Sequence, residues 1–458
     1  MPVDTKHKQY LERESDWSMI ADLLEGENAI KAAGTTYCPK LTGQTTPEFE
    51  DYIGRGSFYN AFARTVSGMT GAATRKEPNV EVDAEIKGLF EDITLGGKSF
   101  VEVVKQTIRE VMSFAGFGVY VDFSEEEQRP YWALYPVNSI INWKYESAGG
   151  SQRLSLLVLK ETYDEQVDEF ETKSIDQLRV VRLEEEGVVV ELWRKGEKDK
   201  EYRKVEENEA RIYGRRLDEI PFVFFGESAK AIVAGKPPLL DLAMLNVKHW
   251  QVSVDYFHGL HYCALPTPWA AGWPKDAKLY IGPKKAWVTE QPEAKCGFLE
   301  FSGQGLGPVK DALDKLEKQM AVMGARLLEE QKAGVETAEA IELRQSGDLS
   351  TLSSIVTVVE EGMIKALNFT AAWLNKAGNF KVELNRDFIS DRLSAQDITA
   401  LLQAVQAGRI SNDTFLYNLR VGEILPPGRT IEDEKKLIQS EEPSRETPPP
   451  GGFEGFMQ

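Results

Sequence analysis

The sequence is poor in the side chains that nucleophilic enzymes and metal proteins use most. It contains four histidines and three cysteines (Cys38, Cys263 and Cys296) among 458 residues. So few cysteines do not build a disulfide framework, and they favour a reducing compartment. With four histidines, no Ser/His or Cys/His pair indicates nucleophilic catalysis. We therefore expect no enzyme activity, no catalytic residues, no cofactor and no metal.

Long apolar runs and an excess of basic residues are also absent. No stretch reaches the roughly 18 uninterrupted apolar residues of a membrane helix, and Met1–His7 lacks the apolar core of a signal peptide. The 54 lysines and arginines are outnumbered by 73 acidic residues, which gives a net charge of −19. Such a chain does not grip nucleic acid with a broad basic face. We expect a soluble cytosolic product without membrane contact.

The sequence does contain an apolar pattern whose period changes along the chain. Apolar residues at helical spacing predict helices over Tyr10–Leu24, Pro47–Met69 and Val101–Phe114. From Gly118 the period is two, which predicts strands over 119–123, 130–143, 154–163, 178–183, 188–193 and 221–225. The charged stretches Glu184–Glu186 and Gly196–Glu209 fit exposed hairpin tips. The pattern predicts an α+β fold.

Long helices dominate the second half. Leu239–Ala264 predicts one helix between prolines, apolar on more than one side, so it needs several neighbours. A segment rich in Pro, Gly and Trp follows, with weak strands near 279–281, 286–289 and 298–301. Val309–Lys332 then carries an apolar seam that packs on a partner helix. A long helical pattern covers Ala338–Ala377. Three N-capped helices start at Ser394, Ser411 and Thr430.

Two glycine motifs resemble nucleotide-binding signatures but lack a required part. Asp92–Ser99 ends in Gly-Gly-Lys-Ser like a phosphate-binding loop, yet Asp92 stands where that loop needs glycine and no apolar strand precedes it. Gly54-Arg-Gly56 follows no strand and lacks the third glycine of a dinucleotide fingerprint. We favour a helix-initiating turn and close helix packing as their roles.

His258, His261 and Cys263 form the one metal-like cluster. Residues i and i+3 share a helix face, so the two imidazoles can converge on an ion, but no third or fourth ligand is visible. We favour structural or solvent-facing histidines over a metal site.

The segment from Pro266 to Lys332 is nearly neutral within an acidic chain. It holds ten basic and nine acidic residues, a sum of +1, so the other residues sum to −20. Proteins that bind DNA tightly concentrate positive charge. A segment with nearly equal numbers of basic and acidic residues fits a surface past which DNA moves without being held. The alternative is that the two numbers are nearly equal by chance.

The order of these parts resembles the portal proteins, or head-to-tail connectors, of tailed bacteriophages, over roughly residues 8–438. No catalytic signature is among the segments that carry the resemblance. They are Tyr52–Gly71, Pro136–Trp143, Ile220–Phe225, Pro238–Asn246, Gly324–Leu328, Gly347–Leu352 and Gln406–Thr414.

The resemblance implies a portal-like α+β architecture of wing, stem, clip and crown. Its parts are a helical and β wing (1–236), a first stem helix (237–265), a small β-containing clip (266–308), a second stem helix (309–330), a tunnel loop (331–337), a long helix returning to the wing (338–393), a short helical crown (394–438) and a disordered tail (439–458). In that family a ring of usually twelve subunits sits at one capsid vertex of the virion. It forms the channel for packaging and ejection of double-stranded DNA. The short crown departs from relatives with a long helical barrel.

The resemblance also suggests roles for particular residues. The residues expected to face the DNA channel are Lys315, Lys318, Arg326 and Lys332, with i,i+4 pairing on a solvated face as an equal alternative. The tunnel loop would contain Gln331, Lys332, Ala333, Gly334, Val335 and Glu336. The clip surface for motor and adaptor would contain Trp269, Trp273, Lys275, Lys278, Lys284 and Lys285, with ordinary packing as the alternative for the tryptophans.

Partners follow from the same resemblance. They are other copies of the chain in a closed ring, the major capsid protein, the terminase large subunit, a head-tail adaptor protein and the DNA that passes through. Assembly would take place in the host cytoplasm. Two alternatives remain open: a structural or adaptor protein of the virion without a channel, and a nucleotide- or metal-dependent enzyme acting on nucleic acid.

Overall fold

The structure is a computed structural model of the 458-residue chain. It describes residues 2–148, 150–196, 201–212, 215–265, 267–273, 278–280, 286–299, 303–324, 338–376, 378, 380–386, 388, 395–421, 424–426 and 429–441. The chain divides into two compact units, Met1–Arg386 and Asp387–Gln458. Helices and antiparallel strands occupy separate stretches of the first unit, so the α+β prediction is confirmed.

The helices lie mainly at the two ends of the first unit and throughout the second. They are α1 (Lys8–Glu25), α2 (Glu27–Ala32), α3 (Thr46–Arg55), α4 (Ala61–Ala73), α5 (Ala84–Gly88), α6 (Phe100–Phe114), α7 (Leu240–Ala264), α8 (Leu306–Met323), α9 (Ala338–Trp373), α10 (Ala395–Gln406), α11 (Asn412–Val421) and α12 (Ile431–Glu441). Among the described helices, none has the length and apolar content to cross a bilayer.

Side-chain caps set where several helices begin. Ser99 caps α6 through a capping box with Glu102, whose carboxylate accepts from the Ser99 backbone N at 2.8 Å. Gly26 ends α1 with φ +107°, a conformation that glycine adopts without strain. The predicted helix Pro47–Met69 is wrong in one respect. The chain leaves the helix at Gly56, and Asn60 caps the new helix α4.

The strands form two main antiparallel sheets in the first unit. The strands are β1 (Asn79–Glu81), β2 (Phe117–Ser124), β3 (Arg129–Pro136), β4 (Ile140–Ala148), β5 (Ser151–Gln166), β6 (Thr172–Glu184), β7 (Gly187–Lys195), β8 (Arg203–Glu209), β9 (Arg211–Ile212), β10 (Arg215–Arg216), β11 (Phe222–Phe225), β12 (Thr267–Ala271), β13 (Lys295–Leu299) and β14 (Lys381–Glu383). The larger sheet is a meander in the order β4-β5-β6-β7-β8, and the smaller has the order β11-β2-β3.

Two strand predictions differ from the structure. The predicted strand 130–143 is interrupted by a 3₁₀ turn at Val137–Ser139, which lets β3 and β4 join different sheets. The charged stretch Arg203–Glu209, expected at a hairpin tip, is instead the edge strand β8. Every residue of β8 is exposed, so charged side chains at this edge face water and discourage pairing with another chain.

A hydrophobic core fills the space between the two sheets and α1. The β11 side chains Phe222 and Phe224 lie in this core with residues of the larger sheet, and Tyr10 and Trp17 of α1 close one side. The long helix α9 covers the smaller sheet, where the Trp132 indole Nε1 donates to the Thr370 hydroxyl at 2.8 Å.

Buried charges connect the two sheets. The Arg179 guanidinium of β6 donates through Nε to Glu161 of β5 at 2.7 Å, and its Nη1 donates to Asp122 of β2 at 3.2 Å. The Tyr135 hydroxyl of β3 also donates to Glu161. Because Arg179 and Glu161 are mostly buried, each charge depends on the others for compensation.

The C-terminal unit contains the three short helices that the N-cap pattern predicts. Thr430 accepts from the Asp433 backbone N at 3.1 Å at the start of α12, and Ser411 accepts from the Thr414 backbone N at 3.1 Å at α11. Leu416 of α11 is buried within the unit. The disordered tail expected from residue 439 is wrong at its start, because α12 continues to Glu441; the rest of it lies outside the described residues.

Replacing Arg179 by Met should lower the free energy of unfolding by about 3–5 kcal/mol, because two buried carboxylates lose their counter-charge. Chemical denaturation measures the loss. Lys144→Met is the control, since that side chain is 64% exposed and pairs at 2.8 Å with Glu146, which is 59% exposed; it should cost at most about 1 kcal/mol. Equal losses in the two variants would contradict a special role for Arg179.

Candidate functional site

The N-terminal half of α7 is held by the other helices of its own unit. The Trp250 side chain is fully buried, and Val254 one turn later is buried as well. The Asn246 side chain accepts from the Phe62 backbone N at 2.9 Å and donates to the Tyr59 backbone O at 2.9 Å. These two bonds fix α7 against the start of α4. Sequence analysis missed Asn246 because a lone Asn in an apolar helix gives no motif.

Gly56 lets α7 approach the end of α3 closely. A Cβ placed on Gly56 would lie 2.3 Å from Cγ2 of Val254 and 3.3 Å from its Cα. A Cβ on Gly54 would meet nothing within 4 Å. Close helix packing, the favoured role of the Gly54-Arg-Gly56 motif, is therefore confirmed for Gly56 and not for Gly54.

The C-terminal half of α7 continues the apolar pattern but is only partly covered by the described chain. After Val254 no residue of α7 is buried. Exposed apolar side chains mark this half: Phe257, Leu260 and Tyr262, followed by Leu265 just past the helix end. The exposed fraction of Leu260 is 41%, against 2% for Leu242 in the held half. Phe257 and Leu260 are three residues apart on one face of α7, the face that continues from Trp250 and Val254, and we call these two residues the bare stripe.

Helix α8 packs along α7, and together they form what we call the rod. The predicted seam is confirmed at Leu313 and Met320, which are buried. Gly259 of α7 allows Leu306 to approach, since a Cβ there would lie 2.9 Å from Leu306 Cδ2. The prediction that the helix reaches Lys332 is wrong, because α8 ends at Met323 before Gly324.

His249 is the titratable group at the junction of the two rod helices. Its Nε2 lies 3.3 Å from the Glu317 carboxylate of α8, and the imidazole is buried. Burial lowers the pKa of His249, and the Glu317 carboxylate opposes this only in part. The ring is therefore neutral near pH 7, and the junction does not depend on a charged pair.

Two exposed lysines lie on the side of α8 that faces away from α7. Lys315 and Lys318 are both exposed and form no ion pair with any described residue. Asp311 and Asp314, their neighbours on the helix, are exposed too. The i,i+4 pairing considered from sequence is therefore not found at these positions. Arg326, Lys332 and the loop Gln331–Glu336 lie outside the described residues.

A small hairpin, β12–β13, lies in the chain between the two helices of the rod, and we call it the clip hairpin. Its strands pair from Thr267↔Leu299 to Ala271↔Lys295. The expectation of a strand at 286–289 is wrong, and β12 was not foreseen because Pro268 masks its pattern. The indole of Trp269 lies over Gly297, where a Cβ would be 3.1 Å from Nε1.

The predicted clip residues differ in their environment. Trp269 is 43% exposed although its ring contacts Gly297, so it combines packing with an open face. Trp273 is half-buried and Lys278 is exposed. Lys275, Lys284 and Lys285 lie outside the described residues, so their place in a clip surface stays a prediction.

The phosphate-loop-like segment is filled by its own carboxylate. Asp92 accepts from the backbone N of Gly97 at 2.9 Å and of Thr94 at 3.2 Å, and Arg129 donates to it at 2.9 Å. Burial acts to raise the pKa of Asp92, but these donors hold it below its ordinary value. The Lys98 ammonium donates to Gln106. The donors that a phosphate would need are therefore already used, as expected of a helix-initiating turn.

The histidine cluster shows aromatic contacts. The His258 ring lies edge-on to Tyr52 at 4.9 Å and to Tyr262 at 4.8 Å between centroids. Burial lowers the pKa of His258. No group of three His, Cys, Asp or Glu side chains suited to a metal occurs among the described residues. Packing between tyrosines accounts for the position of His258.

Comparison with known proteins gives limited similarity. A family model described as a domain of unknown function (DUF4055) matches residues 238–374, which include α7, the clip hairpin and α8. No curated protein matches the sequence.

Two solved structures are similar in part. One, titled "Neck of empty GTA particle computed with C6 symmetry", has 11% identity and a TM-score of 0.41, and covers 86% of this chain and 98% of the other. The second, titled "Virion of native gene transfer agent (GTA) particle", has 11% identity and a TM-score of 0.39, with coverage of 88% and 100%.

Replacing Gly56 by Ala should destabilise the protein by about 1–3 kcal/mol, because the added methyl group displaces Val254 and separates α3 from α7. Gly54→Ala is the control in the same segment. It meets open space and should leave stability unchanged or raise it by up to about 1 kcal/mol. Thermal unfolding of both variants checks the difference; a Gly56→Ala variant as stable as the control would contradict the close contact.

Proposed function

We propose that the chain is the subunit of a portal ring at a unique capsid vertex of a virion. Copies of the rod stand side by side around an axis, and double-stranded DNA passes along it during packaging and ejection. The order of segments resembles that of portal proteins, and the rod, clip hairpin and C-terminal helices occur where that resemblance places stem, clip and crown.

The bare stripe is the observation that carries the proposal. The apolar face of α7 is buried by the chain's own helices as far as Val254, and beyond it Phe257 and Leu260 are 37% and 41% exposed. Contiguous exposed apolar surface marks an interaction site in soluble proteins. Helix α8 occupies another side of α7, so in this proposal the occupant of the stripe is a second copy of the chain. A neighbouring copy supplies the same apolar chemistry in a closed ring.

The outward side of α8 fits a surface exposed to DNA. Lys315 and Lys318 place two positive charges there, and Asp311 and Asp314 place two negative charges beside them. A balanced surface neither attracts phosphate strongly nor repels it. In this proposal the two lysines screen the DNA phosphates briefly as the duplex moves. Residues 331–336 form the tunnel loop between the rod and α9.

The clip hairpin is the proposed docking surface for the terminase motor and the head-tail adaptor. Trp269 and Phe298 present apolar side chains that are 43% and 58% exposed, and Lys278 adds an exposed charge nearby in sequence. Exposed aromatic residues with adjacent charge are typical of reversible interfaces.

Replacing Leu260 by Glu should prevent ring assembly, because each interface would then bury a carboxylate against an apolar surface. Native mass spectrometry and top-view electron microscopy should show closed rings with an open bore for the unmodified chain and mostly free subunits for the variant. Leu41→Glu is the control: Leu41 is 55% exposed among polar neighbours, so rings should persist. Monomers of the unmodified chain, or discs without a bore wide enough for a duplex, would contradict the proposal.

Replacing Asp311 and Asp314 by Asn should make the ring hold DNA. The two lysines then lack compensating charge, so duplex affinity should rise about tenfold or more at low salt and fall more steeply as salt increases. Fluorescence anisotropy with a short duplex measures both effects. Glu125→Gln with Glu127→Gln removes the same charge from the exposed β2–β3 turn and should change neither quantity. Equal affinities for the two double variants would argue against DNA facing this side of α8.

A further inference from the structure

The hairpin β5–β6 extends beyond the rest of its sheet as a two-stranded ribbon. Pairing of β6 with β7 ends at Asp176↔Lys195, whereas pairing of β5 with β6 continues to Gln166↔Thr172. The ribbon therefore projects by about four residue pairs, or roughly 13 Å. The Arg194 guanidinium stacks on the Tyr163 ring at 3.6 Å and attaches the base of the ribbon to β7. We call residues 162–176 the finger.

The tip of the finger presents one aromatic side chain to solvent. Phe170 is 92% exposed, the highest value among the exposed large apolar residues, and Val167 beside it is 54% exposed. The tip is an ordered turn, since the Asp168 carboxylate accepts from the backbone N of Phe170 at 2.7 Å and of Glu171 at 2.8 Å. An ordered turn with an exposed aromatic ring costs little entropy when the ring is buried by a partner.

The finger is also strongly acidic. Between Asp164 and Lys173 it contains five carboxylates and one lysine, a net charge of −4. The surface that binds the finger must therefore combine an apolar cavity with a positively charged rim.

The same chain carries such a cavity at the other end of β5. Its lining combines apolar side chains, among them Leu154, Phe222, Phe224 and Ile232, with a larger polar share, in which Arg153, Lys230 and Lys365 outnumber the single acid Glu219. None of the three rim cations forms an ion pair with a described residue. The cavity volume is about 100 Å³, well above the roughly 10–15 Å³ that one water needs. We call it the basic-rimmed cavity.

The cavity wall is held in place by hydrogen bonds. The Ile232 backbone N donates to the Tyr145 hydroxyl of β4 at 2.8 Å, and the Ala234 backbone N donates to Gln9 of α1 at 3.4 Å. The cavity is therefore a formed feature of the subunit and does not need a partner to create it.

We propose that the finger of one copy inserts Phe170 into the basic-rimmed cavity of the next copy. Within one chain the contact does not form, because Leu154 and Gln166 lie twelve residue steps apart along the extended strand β5 and so separate the two sites by roughly 40 Å. Two complementary sites at opposite ends of one strand give a head-to-tail contact, which is the kind that closes a ring. The inference rests on the proposed ring but uses surfaces separate from the bare stripe.

Cysteine cross-linking tests the contact directly. Cys263→Ser and Cys296→Ser first remove the accessible thiols, leaving the buried Cys38. Phe170→Cys and Ala231→Cys are then combined in one chain, and a mild oxidant should give a ladder of disulfide-linked multimers. A mixture of the two single variants should stop at dimers. Phe170→Cys with Glu206→Cys on the exposed strand β8 is the control and should not cross-link.

A second test measures how assembly changes when Phe170 or the charged residues of the finger and the cavity are replaced. Phe170→Ala should raise the concentration needed for half-assembly tenfold or more, as expected for an aromatic anchor in a pocket, whereas Val205→Ala on β8 should not change it. Arg153→Glu with Lys230→Glu should weaken assembly, and adding Glu169→Lys with Glu171→Lys should restore it.

The outcomes separate this inference from the proposed function. Rings that form equally well with Phe170→Ala and show no cross-link above the Glu206 control would overturn the finger contact and leave the ring proposal standing. A cross-linked ladder without closed rings would support the contact and contradict the ring. Monomers without cross-links would overturn both.

Discussion

The two hydrogen bonds of Asn246 determine how much of α7 belongs to the subunit's own core. They bind the helix to the start of α4, next to the buried Trp250, whereas after Val254 the described residues of α7 are held by the Tyr52–Asp255 hydrogen bond and by ring contacts of His258, and none of them is buried. A buried amide with both its donor and acceptor used fixes one register, because any shift leaves backbone groups unpaired. The remaining half of α7 keeps Phe257 and Leu260 partly exposed, and these apolar side chains are open to a further partner.

Charge is used differently in the interior and at the surface of the first unit. Inside, Arg179 compensates carboxylates from both sheets and so links them through charged hydrogen bonds. At the surface, charges are either balanced, as on α8, or segregated, as in the acidic finger and the basic-rimmed cavity. Balanced charge suits a surface that slides past a polyanion. Segregated charge suits recognition of one particular surface.

The sequence predicts the long elements well because their patterns are repetitive. The periodicity of α1, α6 and α7 and the alternation in β5 to β7 are each sustained long enough to decide helix or strand. The failures have local causes. The helix predicted over Pro47–Met69 breaks because Gly56 must contact Val254, and only the folded structure brings these residues together.

The candidate site was less predictable than the fold. Apolar spacing predicts that α7 needs several neighbours. It does not tell which half of α7 is buried by helices of the same chain, because that burial depends on Asn246 and on helices almost two hundred residues earlier. Phe170 gives no sequence signal because an isolated aromatic residue in a charged loop is typical of many partly buried turns. Phe170 is exposed because β5 and β6 continue to pair beyond the point where β7 ends. This depends on how the strands are aligned in the sheet, which the sequence pattern does not give.

Two separate contacts between neighbouring copies would fix their relative orientation, which neither contact fixes alone. A single apolar stripe joins two rods but lets them rotate about their contact, since hydrophobic attraction has no direction. A finger seated in a cavity far from the rod adds a second fixed point and therefore sets the angle between neighbours. In a head-to-tail assembly that angle decides whether the chain of copies closes and how many copies the ring contains. The subunit number is then encoded by the length and direction of the finger as much as by the rod, and shortening β5 and β6 by one residue pair would change the angle while leaving the bare stripe intact.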